Sequence, residues 1–271
     1  MKALLRPFAA ALIVISVAFA TGVATISPTV AVTNGRCVDD TGFYQGFGQY
    51  NWPNKTAGGN IVFGVRAAFV PTSNFRRCSG TTASDGAGHG ASSAWVAVVN
   101  TAHQEDILQI GVVDCNDGLS DGCPKTNPVG NLNYFYAYGY NCSGTVVPPL
   151  ARYLGAANRD VHTFSVVITS GNVLNMYIDG VLKFAVPLGN KCWVNDPVVD
   201  THVHFVMSGE VEDHGDGLGA DSSRSLFYNV VRQLSKGGSW VDAAMGTCTD
   251  LGDTHTNCNL LATDRMQIWT N

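Results

Sequence analysis

Val173-Leu174-Asn175-Met176-Tyr177-Ile178-Asp179-Gly180-Val181-Leu182-Lys183-Phe184 is the stretch that decides the fold. Two runs rich in β-formers flank Asp179-Gly180, a dipeptide that accepts the positive φ angles of a tight two-residue hairpin. Working outward from it, the chain from about Gly35 to Trp240 is a succession of short β-rich runs separated by Gly, Asn, Asp, Pro and Ser clusters. No long amphipathic helix interrupts them. The strands read from sequence cover 61–70, 94–100, 107–113, 133–140, 161–169, 173–178, 181–187, 202–208 and 226–234. Their regular spacing predicts an all-β, two-sheet antiparallel sandwich rather than a solenoid. No Pro- or Ser-rich linker divides the region, so one domain is the economical reading.

Lys2 and Arg6, the apolar run Phe8–Ala20 and the small residues Ala18, Ala20, Gly22 and Ala24 read as an export signal. The expected organisation is a signal peptide over 1–24, a flexible segment over 25–34, the sandwich over 35–243 and a disulfide-held C-terminal extension over 244–271. No later segment approaches the roughly 20 apolar residues of a membrane-spanning helix. The product is expected outside the cell. Formal net charge is −5, and removing the two basic residues of the signal makes it more acidic. Nucleic-acid binding is excluded as an expectation, since phosphate recognition needs clustered Lys and Arg.

The chain has 8 cysteines, all beyond the signal, an even number that reads as a disulfide framework. Cys248 with Cys258 is the local loop closure; Cys115, Cys123 and Cys142 compete for one another. Zinc ligation is not expected, because no pair has two-residue spacing. The loop Asp114–Asp121 has the composition of a calcium loop but lacks a terminal bidentate Glu, and reads as a polar turn. His202 and His204 alternate on one strand face with Glu210, but His204 and Glu210 are separated by roughly 20 Å of extended strand. Neither metal nor cofactor is called for.

Two strand segments carry one polar group each into an apolar run. Ile107-Leu108-Gln109-Ile110-Gly111 directs Gln109 to the face of Ile107 and Gly111, while His202-Val203-His204-Phe205-Val206-Met207-Ser208-Gly209-Glu210 directs Glu210 to the face of Ser208, Val206 and His204. A carboxylate can activate water for attack on an amide carbonyl, and a neutral amide can donate to the developing oxyanion. Burial in a partly apolar groove would raise the pKa of such a Glu.

Ser93-Ala94-Trp95-Val96-Ala97-Val98, Ile107-Leu108-Gln109-Ile110-Gly111-Val112, the aromatic run Tyr134–Tyr140, Gly209-Glu210 and Phe227-Tyr228-Asn229-Val230 follow an order that resembles the glutamic peptidases of the eqolisin type. The resemblance implies a concanavalin-like fold and a catalytic dyad carried onto Gln109 and Glu210. It also implies substrate contacts at Trp95, Tyr136 and Tyr138, with Glu212 as a further contact or a substitute for Glu210. The chain departs from that family where Trp-Val-Gly-Ile-Asp-Gly becomes Trp95-Val96-Ala97-Val98-Val99-Asn100. The family's Trp-Tyr-Glu-Trp becomes Tyr136-Ala137-Tyr138-Gly139 and loses its Glu. Of the Glu-Trp-Ile-Val-Glu signature only the last Glu is retained, at Glu210.

The expectation is therefore a secreted, acid-acting glutamic endopeptidase whose partner is an extracellular polypeptide. The alternative is a noncatalytic carbohydrate-binding module, with Tyr134, Tyr136, Tyr138 and Tyr140 on one strand face available to stack on glycan rings. A retaining glycosidase would need two carboxylates about 5 Å apart, for which Glu210 and Glu212 are the weak candidates. Asn54-Lys55-Thr56 and Asn141-Cys142-Ser143 fit the acceptor pattern for N-glycosylation.

Overall fold

The computed structural model describes residues 44–49, 62–72, 75–76, 91–100, 107–115, 132–142, 145–188, 203–211, 217–220, 222–250 and 256–270. The expected signal peptide, the segment 25–34 and Glu212 lie outside them, as does the Gly- and Ser-rich stretch up to residue 90. Among the described residues there is no helix, and none is long and apolar enough to cross a membrane.

One sheet has seven strands in the order β15-β1-β11-β4-β5-β6-β7. These are β1 (Tyr44–Gln49), β4 (Ala91–Asn100), β5 (Ile107–Cys115), β6 (Leu132–Cys142), β7 (Thr145–Ala156), β11 (Val203–Val211) and β15 (Thr247–Asp250). The second sheet contains β10 (Val181–Pro187), β9 (Val173–Ile178), β8 (His162–Ile168), β2 (Gly64–Val70), β13 (Ser223–Gln233), β12 (Gly217–Ala220) and β3 (Phe75–Arg76) in that order. It is completed by β14 (Trp240–Asp242), β16 (Thr256–Ala262) and β17 (Arg265–Thr270), which attach through β13. Every pairing is antiparallel, so the protein is an all-β two-sheet sandwich. The β9–β10 hairpin turns at Asp179 (φ 51°) and Gly180 (φ 76°), the left-handed pair that Asp-Gly accepts.

Alternation sorts each strand's side chains between two environments. Ala94, Val96 and Val98 of β4, Leu108 and Ile110 of β5, and Phe205 and Met207 of β11 face the second sheet, where they meet Val65, Phe69, Phe164, Val166 and Phe227. The opposite face of the seven-stranded sheet carries its own apolar cluster of Trp95, Ala97, Val99, Ile107, Val113, Phe135 and Val206. This second cluster is the floor on which the polar candidates stand.

Three elements differ from the sequence reading. Strand β7, absent from the strands read from sequence, contains Pro148 and Pro149; it lies at the sheet edge, and its register with β6 shifts between the Tyr138–Leu150 and Tyr140–Val147 pairs, so neither proline faces a ladder partner. Beyond Glu210, where no strand is read from sequence, lies β12, which pairs with both β3 and β13. The C-terminal extension contributes strands to both sheets. Strand β15 pairs with β1 in one sheet, β17 pairs with β13 in the other, and Met266 and Ile268 are fully buried in the shared core. The Cys248–Cys258 disulfide ties β15 to β16 and so links the two sheets at that end.

Candidate functional site

The face of the seven-stranded sheet turned away from the second sheet is a lattice that can be written row by row across β11, β4, β5 and β6. Val206 lies opposite Ala97, Ala97 opposite Gln109, and Gln109 opposite Ala137. The next row is Ser208, Trp95, Gly111 and Phe135, and the one beyond it is Glu210, Ser93, Val113 and Asn133. Gln109, Trp95 and Glu210 thus share one face. All three are buried, at 0%, 0% and 4% exposure.

Glu210 is the chemically prominent group. Ser93 Oγ donates to its Oε2 at 3.1 Å across the β11–β4 ladder. Burial pushes its carboxyl up to about 7, opposed by the Trp95 indole N–H and by the Ser93 hydroxyl. Trp95 Nε1 makes no hydrogen bond within strict geometry. Its effect on Glu210 is that of a nearby N–H dipole that favours the carboxylate. Gly209 introduces no bulge: the pairing of β11 with β1 and β4 runs through it without a shift. Its missing Cβ instead leaves room for Leu218 and Ile268 on the core side.

Gln109 is different in kind. Its ladder neighbours are Ala97 and Ala137, which offer no side-chain donor or acceptor, and both Oε1 and Nε2 are buried without a partner. A buried amide in that state is unfavourable by about 1–3 kcal/mol for each group left unmade. Such a residue is a candidate for a role other than folding. Trp95 lies over the next row because its partner there is Gly111; a Cβ at Gly111 would overlap the Ala94 carbonyl oxygen and come within 2.7 Å of Trp95 Cα and Cβ.

The register also sets the candidates apart. Gln109 and Glu210 are two strands and four residues out of step, roughly 10 Å across and 13 Å along, or about 16 Å between Cα atoms. Trp95 stands between them. His204 occupies the row on the other side of Gln109, opposite Val99, and is nearer to Gln109 than Glu210 is, at about 12 Å on the same reckoning.

Tyr136 and Tyr138 project to the other side of the sheet. They stack on Phe184 of β10, with ring centroids 4.2 and 5.1 Å apart, inside the sandwich. Tyr134 also turns inward, its hydroxyl 2.9 Å from His162 Nε2. Of the substrate contacts that the resemblance implies, Tyr136 and Tyr138 thus lie on the opposite side of the sheet from Trp95, because β6 is one residue out of phase with it. Both faces of β6 are largely buried, so alternation alone did not say which was which. Glu212 lies outside the described residues, as does His202. Among the described residues no group of His, Cys, Asp or Glu is arranged to hold a metal ion. Ser93 was missed as a site residue, although its position two before Trp95 puts it on the same face.

Several solved structures resemble the chain. Scytalido-glutamic peptidase with a peptide-based transition-state analogue is 14% identical over 85% of this chain and 98% of its own, with a TM-score of 0.44. SCP-B, a member of the eqolisin family of peptidases in complex with the tripeptide Ala-Ile-His, is 14% identical over 85% and 98%, with a TM-score of 0.41. The galectin LEC-6 of Caenorhabditis elegans is 12% identical over 62% of this chain and 94% of its own, with a TM-score of 0.28. The likeness is to glutamic peptidases and to a galectin, at low identity throughout. No family model matches the chain, and no curated protein matches it.

Proposed function

We propose that the outer face of the seven-stranded sheet is a peptide-hydrolysing site of the glutamic type, with Glu210 as the proton-transfer group. The observation that carries the reading is a buried carboxyl poised near 7 beside Ser93 and Trp95, on the face that also holds an amide without partners. Ionised, Glu210 takes a proton from a water attacking the scissile carbonyl; protonated, it returns that proton to the leaving amine. Trp95 Nε1–H is the donor next to Glu210 in the lattice and is suited to the developing oxyanion. Gln109 holds the backbone of an extended polypeptide one row beyond, in place of the direct dyad with Glu210 that the resemblance implies. Because the ionised form is the one that activates water, the rising limb of the rate profile falls near pH 7 rather than in the acid range.

A second reading is favoured by the four-residue offset between Gln109 and Glu210. A pair that cannot share one water is what a noncatalytic extracellular glycan- or peptide-binding module would display. Secretion remains part of the proposal and is supported by the N-terminal apolar run and the disulfide.

The test is cleavage of an unfolded protein substrate from pH 3 to 9, with Glu210→Gln, Gln109→Ala and His204→Ala beside the unaltered chain. Loss of turnover in Glu210→Gln with a folded protein is expected, with Gln109→Ala raising KM more than it lowers kcat. Activity that survives Glu210→Gln but not His204→Ala would move the proton-transfer role to His204. No cleavage by the folded parent protein at any pH would leave the binding module standing.

A further inference from the structure

The outer face of the second sheet carries a groove of about 620 Å³ that no part of the proposed hydrolytic site uses. Ser165 and Val167 of β8 form its floor, with Gly64 of β2 directly opposite Val167. Arg66 and Trp240 line one side and Tyr177 the other. The Arg66 guanidinium lies 4.6 Å from the centroid of the Trp240 ring, a cation–π contact. Among the described residues it has no carboxylate partner. The single carboxylate in the lining, Asp179, is hydrogen-bonded: its Oδ2 lies 2.7 Å from His162 Nδ1, and its Oδ1 accepts from the Thr163 N–H at 2.8 Å. Gln233, also in the lining and 6% exposed, donates through Nε2 to the Gly238 carbonyl at 2.8 Å while its Oε1 has no partner. Tyr177 Oη accepts from Asn175 Nδ2 at 2.9 Å, so its own proton is free to donate.

We propose that this groove binds an acidic oligosaccharide, with a uronate carboxylate held by Arg66 and the sugar rings laid between Trp240 and Tyr177. The positive charge in the groove is the Arg66 guanidinium, whose planar fork matches a carboxylate in a bidentate pair; the Asp179 carboxylate at the hairpin end is turned to His162 and the Thr163 N–H. Around it stand the hydroxyls of Ser165, Thr163 and Tyr177, donors and acceptors that sugar hydroxyls pair with. An extended peptide is disfavoured here. The groove lies on the face of a sheet whose strands β13, β2, β8 and β9 are hydrogen-bonded to one another, so it offers no free backbone ladder to a peptide.

The experiment is calorimetric titration of the full chain with hexagalacturonate and hexaguluronate, and with cellohexaose as the neutral control. One or both uronates should bind, with affinity falling as salt rises, and cellohexaose should bind at least about tenfold more weakly. Arg66→Gln should lose roughly tenfold or more in affinity, and Arg66→Lys should fall between the two because it keeps the charge and loses the fork. In the unaltered chain, uronate should shift the NMR signals of the Trp240 indole N–H and the Ser165 and Tyr177 amides. That measurement decides the matter even if an Arg66 variant fails to fold. Absence of uronate binding, equal binding of cellohexaose, undiminished binding by folded Arg66→Gln, or shifts confined to other surfaces would each overturn the proposal.

Discussion

The two outer faces of the sandwich solve opposite problems. On the seven-stranded sheet, Trp95, Gln109 and Glu210 are buried together, and the polar groups among them are held at a cost: one carboxyl with a raised pKa and one amide without partners. On the second sheet, Arg66, Tyr177 and Trp240 are only half buried, and the groove between them is open. A face that keeps unfavourable groups in place sacrifices stability for chemistry, whereas an open face with engaged or solvated groups sacrifices little. Substitutions on the first face should therefore move stability far and sometimes upward. Equivalent changes on the second should move it little.

The largest effect is expected at Gly111. Alanine there would collide with backbone atoms of Ala94 and Trp95 rather than with a flexible side chain, so the β4–β5 ladder would have to shift. Gly111→Ala should lower unfolding free energy by about 3 kcal/mol or more, measured by urea denaturation. A loss below about 1 kcal/mol would mean that this face is looser than its burial indicates.

Glu210 gives the next effect and a definite sign. Its folded pKa of about 7 lies above the usual 4.5, so the protonated form is the one that favours the folded state. Its unfavourable contribution is absent below the unfolded value, grows as pH rises from 4.5 to about 7, and is constant above that. Its full size is on the order of 3 kcal/mol. Glu210→Gln should therefore abolish that slope and unfold about 2 kcal/mol less readily than the parent at pH 8, with little difference at pH 4. Thermal melts across that range check it, and a parent protein with no stability change between pH 4.5 and 7 would contradict a buried, raised carboxyl.

Gln109 sharpens the same point without titration. Leucine has a similar volume and leaves no amide in need of partners. Gln109→Leu should thus stabilise the fold by about 1–2 kcal/mol while impairing whatever the face binds. A destabilised Gln109→Leu would show that the amide is paired in solution, and the case for a functional Gln109 would weaken with it.

The β9–β10 hairpin was legible because its signal is local: Asp179-Gly180 dictates the turn and its register. The phase of β5 and β11 was legible for a similar reason: Gln109 is the single polar group in the run 107–111, and in β11 the polar His204, Ser208 and Glu210 alternate with Phe205, Met207 and Gly209. What could not be read was whatever depends on strands distant in sequence. The offset between Gln109 and Glu210 is set by β4, which pairs with both strands, and no residue in either segment encodes it. The inward turn of Tyr136 and Tyr138 depends on Phe184 of β10. The groove takes Arg66, Ser165, Tyr177 and Trp240 from four separate strands, and none of these residues is unusual in its own segment.

The smallest effect belongs to the open face, and it sets one glycine against another. Gly180 closes the hairpin that borders the groove, with φ 76° and no atom within 4 Å of where a Cβ would stand. Gly180→Ala therefore meets only the intrinsic penalty of an L-residue in the left-handed region, about 1 kcal/mol, with no collision added. Gly111 has the reverse balance: nothing in its backbone conformation demands glycine, and the whole penalty is contact. Raising temperature or adding urea should separate the two variants clearly, Gly180→Ala unfolding close to the parent and Gly111→Ala well before it. If instead Gly180→Ala is the more damaging of the two, the hairpin is packed against something in solution, and the second sheet's outer face is no longer the open one.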